Sequence, residues 1–419
     1  MRVLISAYAC NPFKGSEEGV GWGWIKAISK YHTLDVITAE FHRGDIENAL
    51  SQDVEFASRV RFYFVPRKIW HYQPTNGWLW IEGSIFKPIM NIAYNLWQRE
   101  AFRLGEELHQ KIGFDLVHQL TYVGFRFPGK LWKLNIPFVW GPIGGLENTS
   151  WRFLPIMGMS GALYYAGRNI INTLQLMMLP GPKRAFSKAR GRIIAATEGI
   201  RKEIYRWYCE DSQVICEIGP PPDKAIQPSL RDSGERLKIA WSGLHLPGKA
   251  LPLLLNALAQ LPKETEWILD ILGDGPCTNR WKLKSKKLRI EDRCNWHGRV
   301  PRNKALEIIR NSHVFIITSL KDLTSSVLME ALAQGVPVIC PDHCGFSNVV
   351  TYDCGIKIPV ENPAQISSGI AAAITKLDQD ERERRRLATG ALLRIDEFTW
   401  DKKALAIDAI YTKARYDSI

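Results

Sequence analysis

The chain has 419 residues, too many for one ordinary core, so two or three domains are expected. Hydrophobic residues at 46% and charged residues at 23% exclude a disordered, fibrous or collagen-like chain. Lys plus Arg outnumber Asp plus Glu by 55 to 43, and the resulting +12 predicts an anionic partner: nucleic acid, acidic lipid or a phosphorylated ligand.

In chain order, a β-rich run at 3–9 precedes a helical pattern at 19–31. Strand patterns follow at 34–39 and 60–65, then a long helix at 85–112 and strands at 116–120 and 138–140. Such alternation predicts a parallel sheet covered on both faces. The opening residues read as the first strand rather than a leader, because Asn11, Lys14, Glu17 and Glu18 follow a short apolar run without a small-residue cleavage site. The longest uncharged stretch, 153–167, is broken by Pro155 and falls short of the roughly 20 apolar residues a membrane span needs. The rhythm restarts at Leu237 with strands at 238–241, 267–272, 295–297 and 314–318 and helices at 251–261 and 303–311. The proline run in Glu217 to Asp223 marks a linker, giving a first domain over 1–217 and a second over 218–397. The charged tail at 380–419 breaks near Phe398 to Trp400; it is either a solvated helix or, from about 398 to 419, a helix packed back on the first domain. No repeat period marks a solenoid. Eight scattered cysteines point to a reducing cytoplasm, and Cys340 to Cys344 lacks the second ligand pair a zinc site needs.

Open parallel sheets take ligands at the carboxyl ends of their strands, where helix N-termini present amides to anions. Three segments follow strands there. In Lys14 to Gly23, Gly19-x-Gly21-x-Gly23 departs from a dinucleotide turn, since about ten residues separate it from the strand and its third glycine comes early. The segment reads instead as a glycine loop that lets a bulky ligand approach the backbone, or as a plain surface loop. In Ser242 to Lys249, Lys249 opens a leucine-rich helix, where its ammonium and the helix amides face a diphosphate or where the lysine is merely solvated. In Asp322 to Ile339, two carboxylates stand eight positions apart. Asp322 suits a sugar ring and Glu330 suits ribose hydroxyls, while Thr324, Ser325 and Ser326 cap the helix or donate to phosphate. The plain alternative is a capped, packed helix.

Taken together, Lys249, the Asp322-x7-Glu330 pair, Ala-x-Gly-x-Pro-Val at 333–338 and Gly345 resemble the donor-binding half of the retaining glycosyltransferases of family 4. Trp296 to Val300 resembles the segment whose backbone meets the nucleotide base, and Gly15 resembles the glycine loop beneath donor and acceptor. The resemblance implies an α/β GT-B fold: two Rossmann-like, doubly wound parallel-sheet domains facing a central cleft. It also implies sugar transfer from a nucleotide-diphosphate sugar, with retention, to a saccharide or lipid-linked saccharide in glycan or polysaccharide biosynthesis. The implied donor site comprises Gly15, Gly243, His245, Lys249, Gly298, Arg299, Val300, Asp322, Thr324, Ser325, Ser326, Val327 and Glu330. Lys249, Asp322 and His118 are the catalytic candidates.

The sequence departs from the family pattern at several places. Asp322 stands where the family usually has Glu, and Leu323-Thr324-Ser325 replaces Gly-Phe-Gly. Leu244 replaces an arginine and Ala250 a glycine, so His245 or Arg299 is expected to supply the missing donor. His118 keeps the first histidine of a His-x-His pattern whose second place holds Leu120, making it either catalytic or a structural strand histidine. Negative charge grows on the leaving diphosphate in such a reaction, and Lys249 with the helix head at Ser325 and Ser326 is suited to stabilise it without a metal or other cofactor. Asp322 and Glu330 are assigned to binding rather than to the paired acids of a glycosidase.

Ten of 15 tryptophans precede residue 210, among them Trp22, Trp24, Trp70, Trp78, Trp80 and Trp97, and serve an acceptor site or the core. The apolar segment 151–179, followed by Lys183, Arg184, Lys188, Arg190 and Arg192, is read as a face resting on an anionic membrane or as a buried helical excursion. The first reading places the protein in the cytoplasm, peripheral on the inner leaflet. No nucleic-acid-binding signature accompanies the positive charge. A nucleotide-sugar epimerase or hydrolase of the same fold, and a non-catalytic sugar-nucleotide-binding protein, are the alternatives.

Overall fold

Two parallel sheets organise the computed structural model, which describes residues 1–66, 86–122 and 124–416. The first sheet comprises β1 (Arg2–Ser6), β2 (Thr33–Ala39), β3 (Val60–Val65), β4 (Leu116–Gln119), β5 (Phe138–Ile143), β6 (Ile193–Ala195) and β7 (Gln213–Val214), ordered β3-β2-β1-β4-β5-β6-β7. The second comprises β8 (Leu237–Ser242), β9 (Trp267–Leu272), β10 (Cys294–Gly298), β11 (Val314–Ile316), β12 (Val338–Pro341) and β13 (Gly355–Ile358), ordered β10-β9-β8-β11-β12-β13. Both are Rossmann-like: the strand order reverses between β1 and β4 in one and between β8 and β11 in the other. Helices cover both faces of such sheets, so their central strands carry apolar residues on both sides; Val3, Leu4 and Ile5 are all fully buried.

Two compact units result. One contains residues 1–147, 172–219 and 399–419, and the other 148–171 and 220–398. The chain divides near residue 219, whereas residues 148–171, expected in the first domain, pack with the second. Their own sequence explains this. Phe153, Leu154, Met157 and Tyr165 are buried in one cluster with Leu253, Leu254 and Trp281, and a Cβ on Gly161 would lie 2.7 Å from Pro247.

In the first unit the last helix, Trp400–Tyr416, is part of the core rather than a solvated tail. Ile407, Ile410, Tyr411 and Ala414 cluster with Val3, Ile5 and Trp24. The Trp400 ring sits so close to Gly23 and Gly219 that a Cβ on either would come within 2.4 and 2.3 Å of it. Trp24 and Trp97 are buried, and Trp22 packs on Phe56 and Phe62, so these three serve packing. Trp70, Trp78 and Trp80 lie outside the described residues. Among the described residues no helix is long and apolar enough to cross a membrane.

Candidate functional site

The ends of β8, β9 and β10 are tied together by backbone bonds. Gly243 donates to Leu272 at 3.1 Å, His245 to Asp274 at 3.1 Å, and Gly273 to Gly298 at 2.8 Å. Gly273 has φ +108°, and a Cβ there would lie 2.0 Å from the Gly243 carbonyl oxygen, so only glycine closes this junction. Lys249 ends a single 3-10 turn, Pro247–Lys249, ahead of the helix Pro252–Leu258 rather than inside it. Its stem passes Gly243, where an added Cβ would be 3.7 Å from Lys249 Cδ.

That turn is pinned to the segment after β11, which leaves the sheet beside β8. Thr318 Oγ1 donates to the Lys249 carbonyl at 2.6 Å, Trp241 Nε1 donates to Thr318 Oγ1 at 2.9 Å, and Leu320 N donates to the Gly248 carbonyl at 2.8 Å. At its tip the Lys249 ammonium pairs with the Asp322 carboxylate, both side chains being about one-fifth exposed. The structure therefore brings Gly243, Lys249 and Asp322 together where the strand order reverses, the place at which open sheets take ligands.

From there the chain enters the helix Ser326–Ala333, with Ser325 at its N-cap making no side-chain cap bond. Thr324 differs from expectation. It is buried under Gly345, whose Cβ would lie 2.0 Å from Thr324 Oγ1, so it supports the loop instead of facing a phosphate. Glu330 lies one turn beyond Ser326, largely buried, and accepts from Arg302 Nε at 3.2 Å. Burial raises its pKa and the Arg302 guanidinium draws it back. Arg302 opens the helix Arg302–Arg310 two residues beyond Val300, so this pair joins the segment after β10 to the one after β11. The sequence pattern stops at Val300 and omits Arg302; its position next to the Gly298, Arg299 and Val300 segment is the signal that would find it.

Two histidines are corrected. His245 is buried, with its ring 5.6, 5.0 and 5.8 Å from Trp241, Trp281 and Trp296, and its Nδ1 lies 2.7 Å from Thr278 Oγ1. Burial lowers its pKa to about 4, so it is neutral near pH 7 and brings no positive charge in place of the arginine. Arg299 lies close enough to Asp274 to help hold that carboxylate below its usual range, behind the larger effects of the Thr278 hydroxyl and the Gly275 amide. His118 is fully buried in β4, with Nδ1 2.6 Å from Tyr411 Oη and Nε2 2.8 Å from the Gly141 carbonyl oxygen. Both ring nitrogens are engaged, so it fastens the last helix to the first sheet and is not catalytic.

A pH dependence follows. His118, His245 and His313 all have pKa values lowered by burial from 6.5 to about 4. The unfolded chain binds protons that the folded chain refuses, so stability is complete above about pH 6.5 and is lost as pH falls toward 4. The midpoint of thermal unfolding should decline across that window, less steeply in His118→Gln. A flat profile there would contradict this environment.

In the first unit, the ends of β1 and β4 carry an aromatic cluster. The Tyr8 ring lies 5.1, 4.9 and 5.7 Å from those of Tyr94, Trp97 and Tyr122. Glu17 accepts from the Tyr122 amide, and Ser16 and Tyr122 hold φ of +58° and +62°. Gly15 is the N-cap of the helix Ser16–Ile28 and has open space around it. Tyr8 and Tyr122 carry no motif, which is why the sequence pattern passes over them.

Residues 223–391 match the family model described as Glycosyl transferases group 1. The matched residues lie within the second unit. The D-inositol 3-phosphate glycosyltransferase of Streptomyces bingchenggensis is 26% identical over 247 residues, covering 54% of this chain and 53% of that protein. The chain thus spans about half the length of the curated relatives it matches. Among solved structures, sucrose-phosphate synthase from Thermosynechococcus elongatus superposes with a TM-score of 0.63 at 16% identity, over 98% of both chains. Anabaena HepE in complex with UDP-glucose superposes with a TM-score of 0.57 at 14% identity, over all of both. The fold is GT-B, and Lys249, Asp322, Ser326 and Glu330 all lie within the residues that match the group 1 model.

Proposed function

We propose that this protein is a glycosyltransferase of family 4 type that moves a sugar from a nucleotide-diphosphate sugar to a saccharide or lipid-linked saccharide, with retention at the anomeric carbon. The observation that carries the reading is the Lys249–Asp322 pair, held at the sheet's point of reversal and followed at once by the head of the helix Ser326–Ala333. Lys249 and the first-turn amides stabilise the charge that develops on the departing diphosphate, taking the part a metal ion plays elsewhere. Asp322, already on Lys249, orients that ammonium and faces the sugar. Glu330 accepts the ribose hydroxyls, with Arg302 donating to its carboxylate from the neighbouring segment. The departing phosphate takes the acceptor's proton, which is consistent with His118 lying buried in the core. The UDP-glucose bound by the HepE structure supports a nucleotide sugar as donor class.

Thermal-shift titration with UDP-, GDP- and ADP-sugars tests donor binding, and release of free nucleotide diphosphate only when acceptor is present separates transfer from hydrolysis or epimerisation. Stabilisation by none of the three overturns the reading. Glu330→Gln should weaken donor binding by about tenfold to a hundredfold, the worth of hydrogen bonds to a charged group. Unchanged affinity would remove Glu330 from the site.

A further inference from the structure

Along the helix Gly158–Met178, Met159, Leu163, Ile170, Leu174 and Met177 stand 49% to 83% exposed, with Ile171 and Met178 beside them. At 3.6 residues per turn these positions fall within a sector of about 120° and form a stripe about 28 Å long. Only Ser160 and Gly167 share the sector, so the stripe carries no charge. The opposite face holds Gly161, Tyr165, Asn169, Asn172 and Leu176, all buried, so the helix is seated and its outer face is left uncovered. Soluble proteins rarely leave so continuous an apolar surface without an occupant.

The surrounding charge identifies the occupant. From Asn148 to Thr197 there is no Asp or Glu, whereas Arg152, Arg168, Lys183, Arg184, Lys188 and Arg192 fall in that stretch, with Arg190, which is ion-paired to Glu210. Trp151 and Arg152 before the helix, and Lys183 and Arg184 after it, are all exposed. An aromatic and basic residues flanking an uncharged apolar stripe match a helix lying in the headgroup layer of an anionic bilayer. A second copy of this chain fits poorly, because antiparallel pairing of two such helices sets Arg152 of each against Lys183 and Arg184 of the other, with no carboxylate in either stretch from Asn148 to Thr197. We propose that the Gly158–Met178 helix docks this protein flat on an anionic lipid surface. The inference is independent of the transfer reaction, since it needs only the helix and its charges.

Co-sedimentation of the full chain with phosphatidylglycerol-containing vesicles, against pure phosphatidylcholine vesicles, tests it without reference to activity. Binding is expected on the anionic vesicles at low salt, with Leu163→Glu/Leu174→Glu reducing the bound fraction by about tenfold or more. Lys183→Glu/Arg184→Glu should weaken binding and flatten its salt dependence. Both substitutions fall on exposed side chains, and an unaltered thermal midpoint verifies folding. No binding of the unaltered protein at low salt overturns the proposal, as does equal binding by the Leu163/Leu174 variant. A dimer in sedimentation velocity that this variant abolishes would assign the stripe to a second copy and equally overturn it.

Discussion

Replacing Lys249 with alanine is expected to slow sugar transfer by about a hundredfold to a thousandfold, the usual cost of removing one preorganised donor to a developing anion. The size follows from how firmly the lysine is held. Its carbonyl is fixed by Thr318, Thr318 is fixed by the Trp241 indole, and its ammonium is already aimed by Asp322. Little reorganisation of the lysine stem would then be needed to present the ammonium to a developing anion. The loss should fall on kcat, with donor affinity changing less, and Lys249→Arg should recover part of it. Asp322→Asn should act in the same direction, because it frees the ammonium to wander. Steady-state release of nucleotide diphosphate with acceptor present measures all three. A Lys249→Ala enzyme with unchanged kcat would place the positive charge elsewhere.

The largest effect on stability is expected at Trp24. It is 1% exposed, packs edge-on against Trp400 at 5.5 Å between centroids, and donates to the Glu217 carbonyl at 3.0 Å. The buried Lys403 ammonium lies 5.8 Å from the same ring and also reaches the Cys216 carbonyl. Trp24→Ala should therefore destabilise the first unit by about 3 to 5 kcal/mol, through the cavity it leaves and the carbonyl it strands. At about 2 to 4 °C per kcal/mol, scanning calorimetry should record a fall near 10 °C in that unit's transition. A fall of under about 1 °C would mean the last helix is held by something other than this ring.

β3 and β9 begin and end at 60–65 and 267–272 as the runs of β-branched, aromatic and aliphatic residues predict, although each carries one charged residue, Arg61 or Asp270, on a less buried side. β6 and β7, with three and two residues, are too short to carry a period. In the site, Lys249, Asp322 and Glu330 are legible because each lies in a local motif whose spacing reflects one loop and one helix. Arg302 is not, since its partner Glu330 stands 28 positions away and nothing local announces the pairing. His118 reads correctly as a strand residue, yet its role depends on Tyr411, 293 positions away. The segment 151–179 reads two ways because sequence averages over its faces; the helix buries one and exposes the other.

The return of residues 399–419 to the first unit also affects how the molecule is made. During synthesis, β1 to β7 are complete once about half of the chain has been translated. Val3, Ile5 and His118 nevertheless lack their cover until Ile407 and Tyr411 have emerged from the ribosome. The early unit must wait, incompletely sealed, while the later one is translated. Its closure thus follows the translation of the later unit.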